Sequence, residues 1–378
     1  MIDSRLSGSR EAIREQLVRC GAVTGIWRNG KREESLLPLD PLPRVIEAQA
    51  FARLERGLLQ RVAALNAFLR DVYGEKRIFT DGVIPPEAVF AGKGYLPQCE
   101  GSLPPEGVYV RLAGIDLAEG KDGWTVLCDN LRIPGGAALP LVARIVSRRC
   151  APRVFQEAGI ADSRDYGGLL RDAMNSANRG GLNVLLTPGT LNASYFEHAV
   201  LAEQAGLVLS ESRDLIVRDG FLFLRCPGGD QRVGALYRFI ADEWLDPLSF
   251  SQDSLIGIPG LMTACRAGNV ALLNAPGCSA ADDPGIFARV PDMIRYYLGE
   301  EPLLPQTALP FSGKAAREYL DDAAAEALDA DGKPIRCGAN LRAFVLWGRE
   351  PRVWKSGLTR FYPDPAGAPG FKDTWVRS

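Results

Sequence analysis

The sequence predicts a mixed α/β fold (α+β mixed) that contains both parallel and antiparallel strands. Residues 181–212 follow the order strand, loop, helix, strand, which is a βαβ unit and requires a parallel sheet. Residues 108–117 and 124–129 alternate apolar and polar side chains around a Gly120–Gly123 turn, the pattern of an antiparallel hairpin. Apolar residues recur every three or four positions over 47–73 and predict a long amphipathic helix that packs against these sheets.

Capping residues and periodicity predict the other elements along the chain. Further helices are predicted at 9–20, 86–89, 140–149, 165–178, 259–267, 284–298 and, from an alanine-rich pattern, 314–328. Further strands are predicted at 215–218, 221–225, 233–240, 270–274, 341–347, 352–356, 358–362 and 372–376. The chain shows no internal repeat and no low-complexity linker. We therefore expect one continuous body with an N-terminal helical part (1–106), a core (107–310) and a short C-terminal part (311–378).

Composition restricts the classes of partner. The 378 residues include 44 Lys+Arg and 46 Asp+Glu, so the net charge near −2 argues against nucleic acid or an acidic membrane as partner. Residues 1–17 resemble a capped, charged helix rather than a signal peptide, and no apolar run is long enough for a bilayer. Eight cysteines without CxxC pairs fit free thiols in a reducing compartment, and a single histidine excludes a multi-His metal site. We expect a cytoplasmic protein.

Three side chains of the central hairpin are candidates for a metal site. If the turn lies near residue 122, Asp116 faces Cys128, and Cys128 and Asn130 point to the same face. Oxygen ligands in this arrangement would suit Mg²⁺, so Asp116 and Asn130 are the candidate metal ligands. The residue between them in this set, Cys128, offers a thiol instead of an oxygen. The alternative is an ordinary hairpin with an exposed Asp, a buried Cys and an Asn that begins a turn.

A second group of candidates follows the first strand of the βαβ unit. The loop before its helix could place an anion or a substrate carboxylate at the helix N-terminus, or it could be an ordinary turn. Its substrate-side candidates are Thr187, Gly189, Asn192, Tyr195 and His198. A nucleophilic pair of Cys128 and His198 is conceivable but has no local signature, so we assign no catalytic residue. The tail cations Arg342, Arg360 and Lys372 could bind phosphate or carboxylate, or be solvated strand charges.

Several stretches of the chain resemble the circularly permuted ATP-grasp proteins of type 2, which are related to glutathionylspermidine synthase. The stretches are LERGLLQRVAALNAFLRDVYG, GIDL, DNLRIP, LLTPGTLNASYFEH, LDPL, DSLIGIPGL, GNVAL, VPDMIRYYLGEEPLLP, LRAFVL, GLTR and KDTWV, in the family's order. The resemblance implies an ATP-grasp body in permuted order, with a βαβ substrate-side subdomain and a reduced nucleotide-side subdomain. It also implies ATP- and Mg²⁺-dependent joining of a carboxylate to an amine through an acyl phosphate.

The chain departs from the family at most working positions. The family's metal set is similar to Asp, Glu and Asn, and this chain has Asp116, Cys128 and Asn130. The position of an ATP-contacting Lys is Pro284, and the interval between residues 305 and 341 has no Gly-rich phosphate loop. Phe239 stands for an arginine and Gly135 for a serine of the family pattern. The resemblance leaves a residual family site, which consists of Asp116, Asn130, Arg132, Arg342, Arg360 and Lys372.

These losses predict that ordinary ATP binding does not survive. Each charged contact to a triphosphate is worth roughly 1.5–3 kcal/mol, and a millimolar to micromolar affinity amounts to about 4–8 kcal/mol. We therefore expect that the protein uses no cofactor and is a non-catalytic binding or scaffold subunit. It would form a homo- or hetero-oligomer, or act beside an active ATP-grasp relative. We also expect an unidentified small ligand. The alternatives are an ATP-dependent amide ligase with a remodelled site, and an ATP-independent enzyme that reuses Asp116, Asn192, Tyr195 and His198.

Overall fold

The computed structural model describes residues 10–28, 31–121, 123–310, 324–329, 332–363 and 368–378. The helices of these residues are α1 (Arg10–Arg19), α2 (Ala48–Val72), α3 (Arg77–Thr80), α4 (Glu87–Phe90), α5 (Ala138–Cys150), α6 (Pro152–Glu157), α7 (Tyr166–Ala177), α8 (Tyr195–Ala205), α9 (Asp242–Leu245), α10 (Leu261–Arg266), α11 (Pro284–Phe287) and α12 (Val290–Leu298). None of these helices is long and apolar enough to cross a membrane.

The strands of the same residues are β1 (Val23–Arg28), β2 (Lys31–Leu36), β3 (Leu39–Ile46), β4 (Leu112–Gly120), β5 (Gly123–Asn130), β6 (Leu182–Leu186), β7 (Val208–Ser210), β8 (Leu215–Arg218), β9 (Phe221–Leu224), β10 (Gln231–Arg238), β11 (Ala271–Leu273), β12 (Ala324–Leu328), β13 (Pro334–Trp347), β14 (Pro351–Val353), β15 (Leu358–Tyr362) and β16 (Gly370–Val376). The mixed α/β class predicted from the sequence is confirmed.

Two large sheets carry the candidate residues. The first has the order β3-β16-β15-β13-β4-β5, with β12 and β14 also paired to β13. The second has the order β7-β6-β10-β9-β8, with β11 paired to β10. In this second sheet β6, β7, β10 and β11 are parallel, as the predicted βαβ unit requires. A separate hairpin pairs β1 with β2.

The helix α2 joins the two sheets. Its apolar residues recur at helical spacing, so one face buries Leu58 and Leu65 together with Ile115 of β4 and Leu236 of β10. On the same helix Arg61 is buried, and it binds Asp129 of β5 through two hydrogen bonds of 2.7 and 2.6 Å. This ion pair ties the helix to the hairpin strand that carries Cys128 and Asn130.

Three predictions of secondary structure are wrong. The N-terminal part is not only helical, because β1, β2 and β3 precede α2. The strand β3 contains Pro41 and Pro43, which are unusual within a strand, but β3 lies at a sheet edge, and its pairing with β16 is interrupted between residues 40 and 44. Proline is tolerated at such an edge or irregularity because no ladder N–H is needed there.

The predicted helix 284–298 is two helices, α11 and α12, and Pro291 lies in the first turn of the second. Proline fits a first turn but not a helix interior, which explains the break. Residues 324–328 of the predicted helix 314–328 form the strand β12, antiparallel to β13. Leu328 N also donates to Asp40 Oδ2 at 2.9 Å, so pairing overrides the helix preference of alanine. Residues 314–323 lie outside the described residues.

Candidate functional site

The central hairpin pairs as the sequence predicts. Asp116 of β4 lies opposite Cys128 of β5, and Gly114 lies opposite Asn130. On its other side β4 pairs with β13, where Arg342 lies opposite Asp116. Sheet pairing therefore places a cation of the C-terminal part directly beside the candidate metal ligand. We call Asp116, Cys128, Asn130, Arg342 and Arg360 the Asp116 cluster.

Both oxygens of the Asp116 carboxylate are engaged by protein groups. Arg342 donates from Nε to Oδ1 and from Nη2 to Oδ2, both at 2.7 Å. Arg360 Nη1 lies 3.7 Å from Oδ2, and Asn130 Nδ2 donates to the same oxygen at 3.3 Å. The planar guanidinium of arginine matches a carboxylate in this two-bond arrangement. One carboxylate thus faces two guanidinium groups, which leaves the cluster with an excess of positive charge.

Electrostatics keep Asp116 ionised and Cys128 protonated. Burial, the largest single effect, opposes ionisation of Asp116. The charge and hydrogen bonds of Arg342, the charge of Arg360 and the hydrogen bond from Asn130 together outweigh it, so the pKa of this carboxyl lies below its ordinary value. Burial raises the pKa of Cys128 to about 12. A thiol with this pKa is protonated at neutral pH, and the thiolate is the form that attacks carbonyls or binds metals.

The residues of the cluster do not fit Mg²⁺. Magnesium prefers oxygen ligands in octahedral geometry, but here Asp116 is held by arginine, and Asn130 directs its Nδ2 toward both Asp116 and the Gly114 carbonyl. The third position is the protonated thiol of Cys128. Within the described ranges, no group of three or more His, Cys, Asp or Glu side chains converges in a way that could hold a metal ion.

The substrate-side candidates form a packed turn. Thr187 Oγ1 and His198 Nδ1 lie 2.8 Å apart, and Gly189 N donates to the same hydroxyl at 3.2 Å. The His198 ring is 1% exposed and lies against Phe239, with 4.0 Å between ring centroids. Burial lowers the pKa of His198 to about 4, so the ring is neutral at physiological pH. This histidine has the surroundings of a core residue.

The two remaining residues of this loop stay near its surface. Asn192 Oδ1 accepts a hydrogen bond from Ser194 N at 2.8 Å, and Tyr195 is the first residue of α8. Cys128 Sγ is directed to the Asp129 carbonyl at 3.4 Å, whereas His198 pairs with Thr187. The structure therefore does not bring Cys128 and His198 together as a nucleophilic pair.

Glu197, which the sequence did not single out, connects the two groups of candidates. Its Oε1 accepts hydrogen bonds from Gly136 N at 2.6 Å and Ala137 N at 2.8 Å, at the beginning of α5. Arg342 Nη1 donates to the Gly135 carbonyl in the same turn at 3.0 Å. Free N–H groups at the beginning of a helix attract a carboxylate. In the sequence, only the two glycines before α5 could have indicated that a carboxylate such as Glu197 binds there.

Lys372 and Arg132 of the residual family site lie apart from the cluster. Lys372 Nζ binds Asp40 Oδ1 at 2.9 Å, and both side chains are 1% exposed, so this lysine serves a buried ion pair. Arg132 lines a separate cavity of about 520 Å³ together with Asp242, Asp282 and Pro284. Its Nη1 lies 3.5 Å from Glu243 Oε2. Asp242 is buried and Asp282 is half-buried, and no sequence pattern pointed to Asp242.

Comparison with known proteins identifies the family. A family model described as circularly permuted ATP-grasp type 2 matches residues 43–329. The chain belongs to this family. This ATP-grasp chain is 43% identical over 299 residues to an uncharacterized protein of Synechocystis, with 78% of this chain and 62% of the relative covered. It is also 43% identical over 324 residues to an uncharacterized protein of Mycobacterium tuberculosis, covering 84% of this chain and 58% of the relative.

One named relative aligns with nearly the whole chain. The "Putative glutamate--cysteine ligase 2-3" of Frankia alni is 34% identical over 439 residues, covering 99% of this chain and 50% of the relative. That alignment is longer than the 378 residues present here, so the relative contains internal positions that this ATP-grasp chain lacks. The chain spans between 50% and 62% of the length of the relatives named here.

A solved structure has the same fold. The apo form of a glutathione synthetase-like effector from Globodera pallida superimposes with a TM-score of 0.59 at 10% identity, covering 98% of this chain and 96% of the effector. At this identity the likeness concerns the fold alone. The ATP-grasp body predicted from the sequence is thus confirmed, and the role of the Asp116 cluster has to come from its own geometry.

Proposed function

We propose that this ATP-grasp homologue is a non-catalytic binding or scaffold subunit that does not use Mg-ATP. The observation that carries the proposal is the Asp116 carboxylate, whose two oxygens are held by Arg342 at 2.7 Å while the facing residue is the protonated thiol of Cys128. A Mg²⁺ ion would have to displace this arginine and then lie among two guanidinium groups. The attraction that a carboxylate-rich site offers a divalent cation is therefore replaced by repulsion.

Two further observations support the loss of nucleotide binding. At the position where the family pattern has a lysine, Pro284 supplies neither a charge nor an N–H. At the position where the family pattern has an arginine, Phe239 packs against His198. The alignment with the Frankia relative contains positions that this chain lacks. We propose that part of the length that this chain lacks is a segment whose backbone N–H groups bind phosphate.

We expect millimolar Mg-ATP to leave the melting temperature unchanged. A ligand at 100 times its dissociation constant adds about 2.7 kcal/mol to the free energy of unfolding, which corresponds to about 2 °C or more for a chain of this size. Differential scanning fluorimetry with and without Mg-ATP measures this shift, and Asp116→Asn, compared with its own baseline, is the matched control. A rise of that size in the wild type that Asp116→Asn abolishes would overturn the proposal.

The alternative function is an ATP-dependent ligase with a remodelled site, and the name of the Frankia relative favours it. The same samples discriminate between the two functions. Incubation with Mg-ATP, glutamate and cysteine releases ADP if the ligase activity survives. ADP release above that of Asp116→Asn would support the ligase, and its absence would support the binding subunit.

A scaffold subunit needs a protein partner, and we propose that exposed apolar residues on the 244–256 segment provide the contact. Leu255 is 98% and Leu248 76% exposed, and Trp244 and Ile256 are also partly exposed. Four apolar side chains within one short segment are unusual for a monomer surface. The proposed partner is a second copy of this chain or an active ATP-grasp relative, in the predicted cytoplasmic location.

We expect light scattering at micromolar concentration to give a mass above the 41.0 kDa of one chain. The double variant Leu248→Ser/Leu255→Ser should return the mass to that of a monomer, because these side chains would no longer bury apolar surface. Leu191→Ser, at a leucine that is 70% exposed elsewhere, is the matched control. A wild-type monomer that also fails to co-elute with an ATP-grasp relative would exclude this contact.

A further inference from the structure

We infer that a cavity beside helix α1 binds a small amphipathic carboxylate, a molecule with one apolar tail and one carboxylate group. We call this cavity the α1 cavity. It measures about 450 Å³ and lies between α1, the connection from β2 to β3, and the strands β12 and β15. A space of this size accommodates a small organic molecule. Its described lining residues include none from the Asp116 cluster or from the cavity beside Arg132.

The walls of the α1 cavity are largely apolar. They include the side chains of Ile13, Leu17, Leu37, Leu39, Leu328 and Phe361. Each of these six residues is at most 9% exposed, so the walls are part of the folded interior. Water in an apolar space lacks hydrogen-bond partners, so an apolar group is the favoured occupant. Each methylene group that leaves water for such a space raises an affinity about fourfold.

The acid of the described lining, Asp40, is already held by the protein. Its Oδ1 accepts hydrogen bonds from Lys372 Nζ at 2.9 Å and Leu42 N at 2.7 Å. Its Oδ2 accepts one from Leu328 N at 2.9 Å. The buried Lys372 also compensates the charge of this carboxylate. Asp40 therefore does not turn the α1 cavity into a site for a cation.

Two arginines of α1 give the lining its positive charge. Arg10, Ile13, Arg14 and Leu17 follow helical spacing, so they share the side of α1 that lines the cavity. Arg10 Nη2 donates to the Asp329 carbonyl at 2.6 Å. Arg14 is exposed, and among the described residues its side chain has no ion pair. The guanidinium group of Arg14 is thus available at the mouth of an apolar space.

This combination favours a carboxylate with an apolar tail. A planar guanidinium group matches a carboxylate through two hydrogen bonds. A nucleotide would have to remove its polar sugar and phosphates from water to enter between apolar walls, which is costly. The inference goes beyond the proposed function, because it concerns residues outside the Asp116 cluster and would stand whether or not Mg-ATP binds.

Isothermal titration calorimetry of the full chain with decanoate, below its micelle concentration, tests the inference. Octanoate and decylammonium are the parallel titrations. We expect one decanoate to bind per chain about fifteenfold more tightly than octanoate, because two more methylene groups are buried. Decylammonium has a tail of similar length and the opposite charge, and it should bind about fivefold more weakly than decanoate. Added salt should weaken decanoate binding.

Two variants test whether decanoate lies in the α1 cavity. Arg14→Gln should weaken decanoate binding about two- to fivefold, because it removes an exposed charge. Leu36→Trp, at a half-buried lining residue, should weaken it about tenfold, because the larger side chain occupies space that the tail needs. The matched control is Arg19→Gln, at an exposed arginine of the same helix outside the described lining, which should leave the affinity unchanged.

Arg14→Gln keeps the test valid if Leu36→Trp fails to fold, since Arg14 is exposed. Absence of saturable decanoate binding, binding of several decanoate molecules per chain, or equal affinity for decylammonium would each overturn the inference. So would decanoate binding that Arg14→Gln and Arg19→Gln weaken equally.

Discussion

Replacing Asp116 with alanine is expected to lower the free energy of unfolding by about 3–5 kcal/mol. The reason is that Arg342 and Arg360, whose side chains are only 12% and 19% exposed, lose the single carboxylate that they share. Unfolding in urea, monitored by circular dichroism, measures the loss. A loss below about 1 kcal/mol would place the pair in the range of solvent-exposed ion pairs and would contradict the described cluster.

A double-mutant cycle provides the control for this prediction. Asp116→Ala combined with Arg342→Met should cost clearly less than the two single changes together, because the double variant removes one buried cation along with the anion.

The wild type should also lose stability in acid. Since the pKa of Asp116 is lowered in the folded state, its contribution is present above the ordinary aspartate pKa of about 3.9 and is lost as the pH falls below that value.

Replacing Asp129 with alanine should also cost about 3–5 kcal/mol in the free energy of unfolding. Arg61 and Asp129 are 3% and 2% exposed, and Arg61 would be left buried without a carboxylate, with its 2.9 Å hydrogen bond to Gln306 and its contact with the Phe287 ring. The change would also release α2 from β5, the strand that carries Cys128 and Asn130. Denaturant unfolding and the near-ultraviolet circular dichroism signal report stability and packing.

Asp162→Ala is the matched control for this second prediction. Asp162 pairs with Arg164 at the surface, where the two side chains are 60% and 66% exposed, so its loss should cost less than about 1 kcal/mol. Equal losses in the Asp129 and Asp162 variants would show that burial of the Arg61 pair does not determine its contribution.

Local patterns made much of the fold predictable. The hairpin β4–β5, the βαβ unit of β6, α8 and β7, and the helix α2 each depend on a periodicity within one segment of the chain. The strand β3 was missed because its prolines argue against a strand unless the sheet edge is known. The alanine-rich residues 324–328 were misassigned because their partner is β13, and single-segment propensity does not show such pairing.

The candidate site was predictable only where a short turn brought residues together. The turn near residue 122 correctly placed Asp116 opposite Cys128. Arg342 is 226 residues from Asp116 in the sequence, so no local pattern could show that it holds the carboxylate. The same holds for the cavity beside Arg132, which assembles from four separated segments. The assignments of Thr187, Asn192 and Tyr195 to a substrate side stay predictions.

Calorimetric titration of Mg-ATP into the full chain at 25 °C tests most directly whether the Asp116 cluster has lost the ability to bind Mg-ATP. We expect no saturable heat up to millimolar Mg-ATP, because Arg342 holds both oxygens of Asp116 and Cys128 offers no oxygen ligand. Saturable binding of one Mg-ATP per chain at micromolar affinity, lost in Asp116→Asn, would show that the cluster opens to a metal ion and would contradict the binding-subunit function.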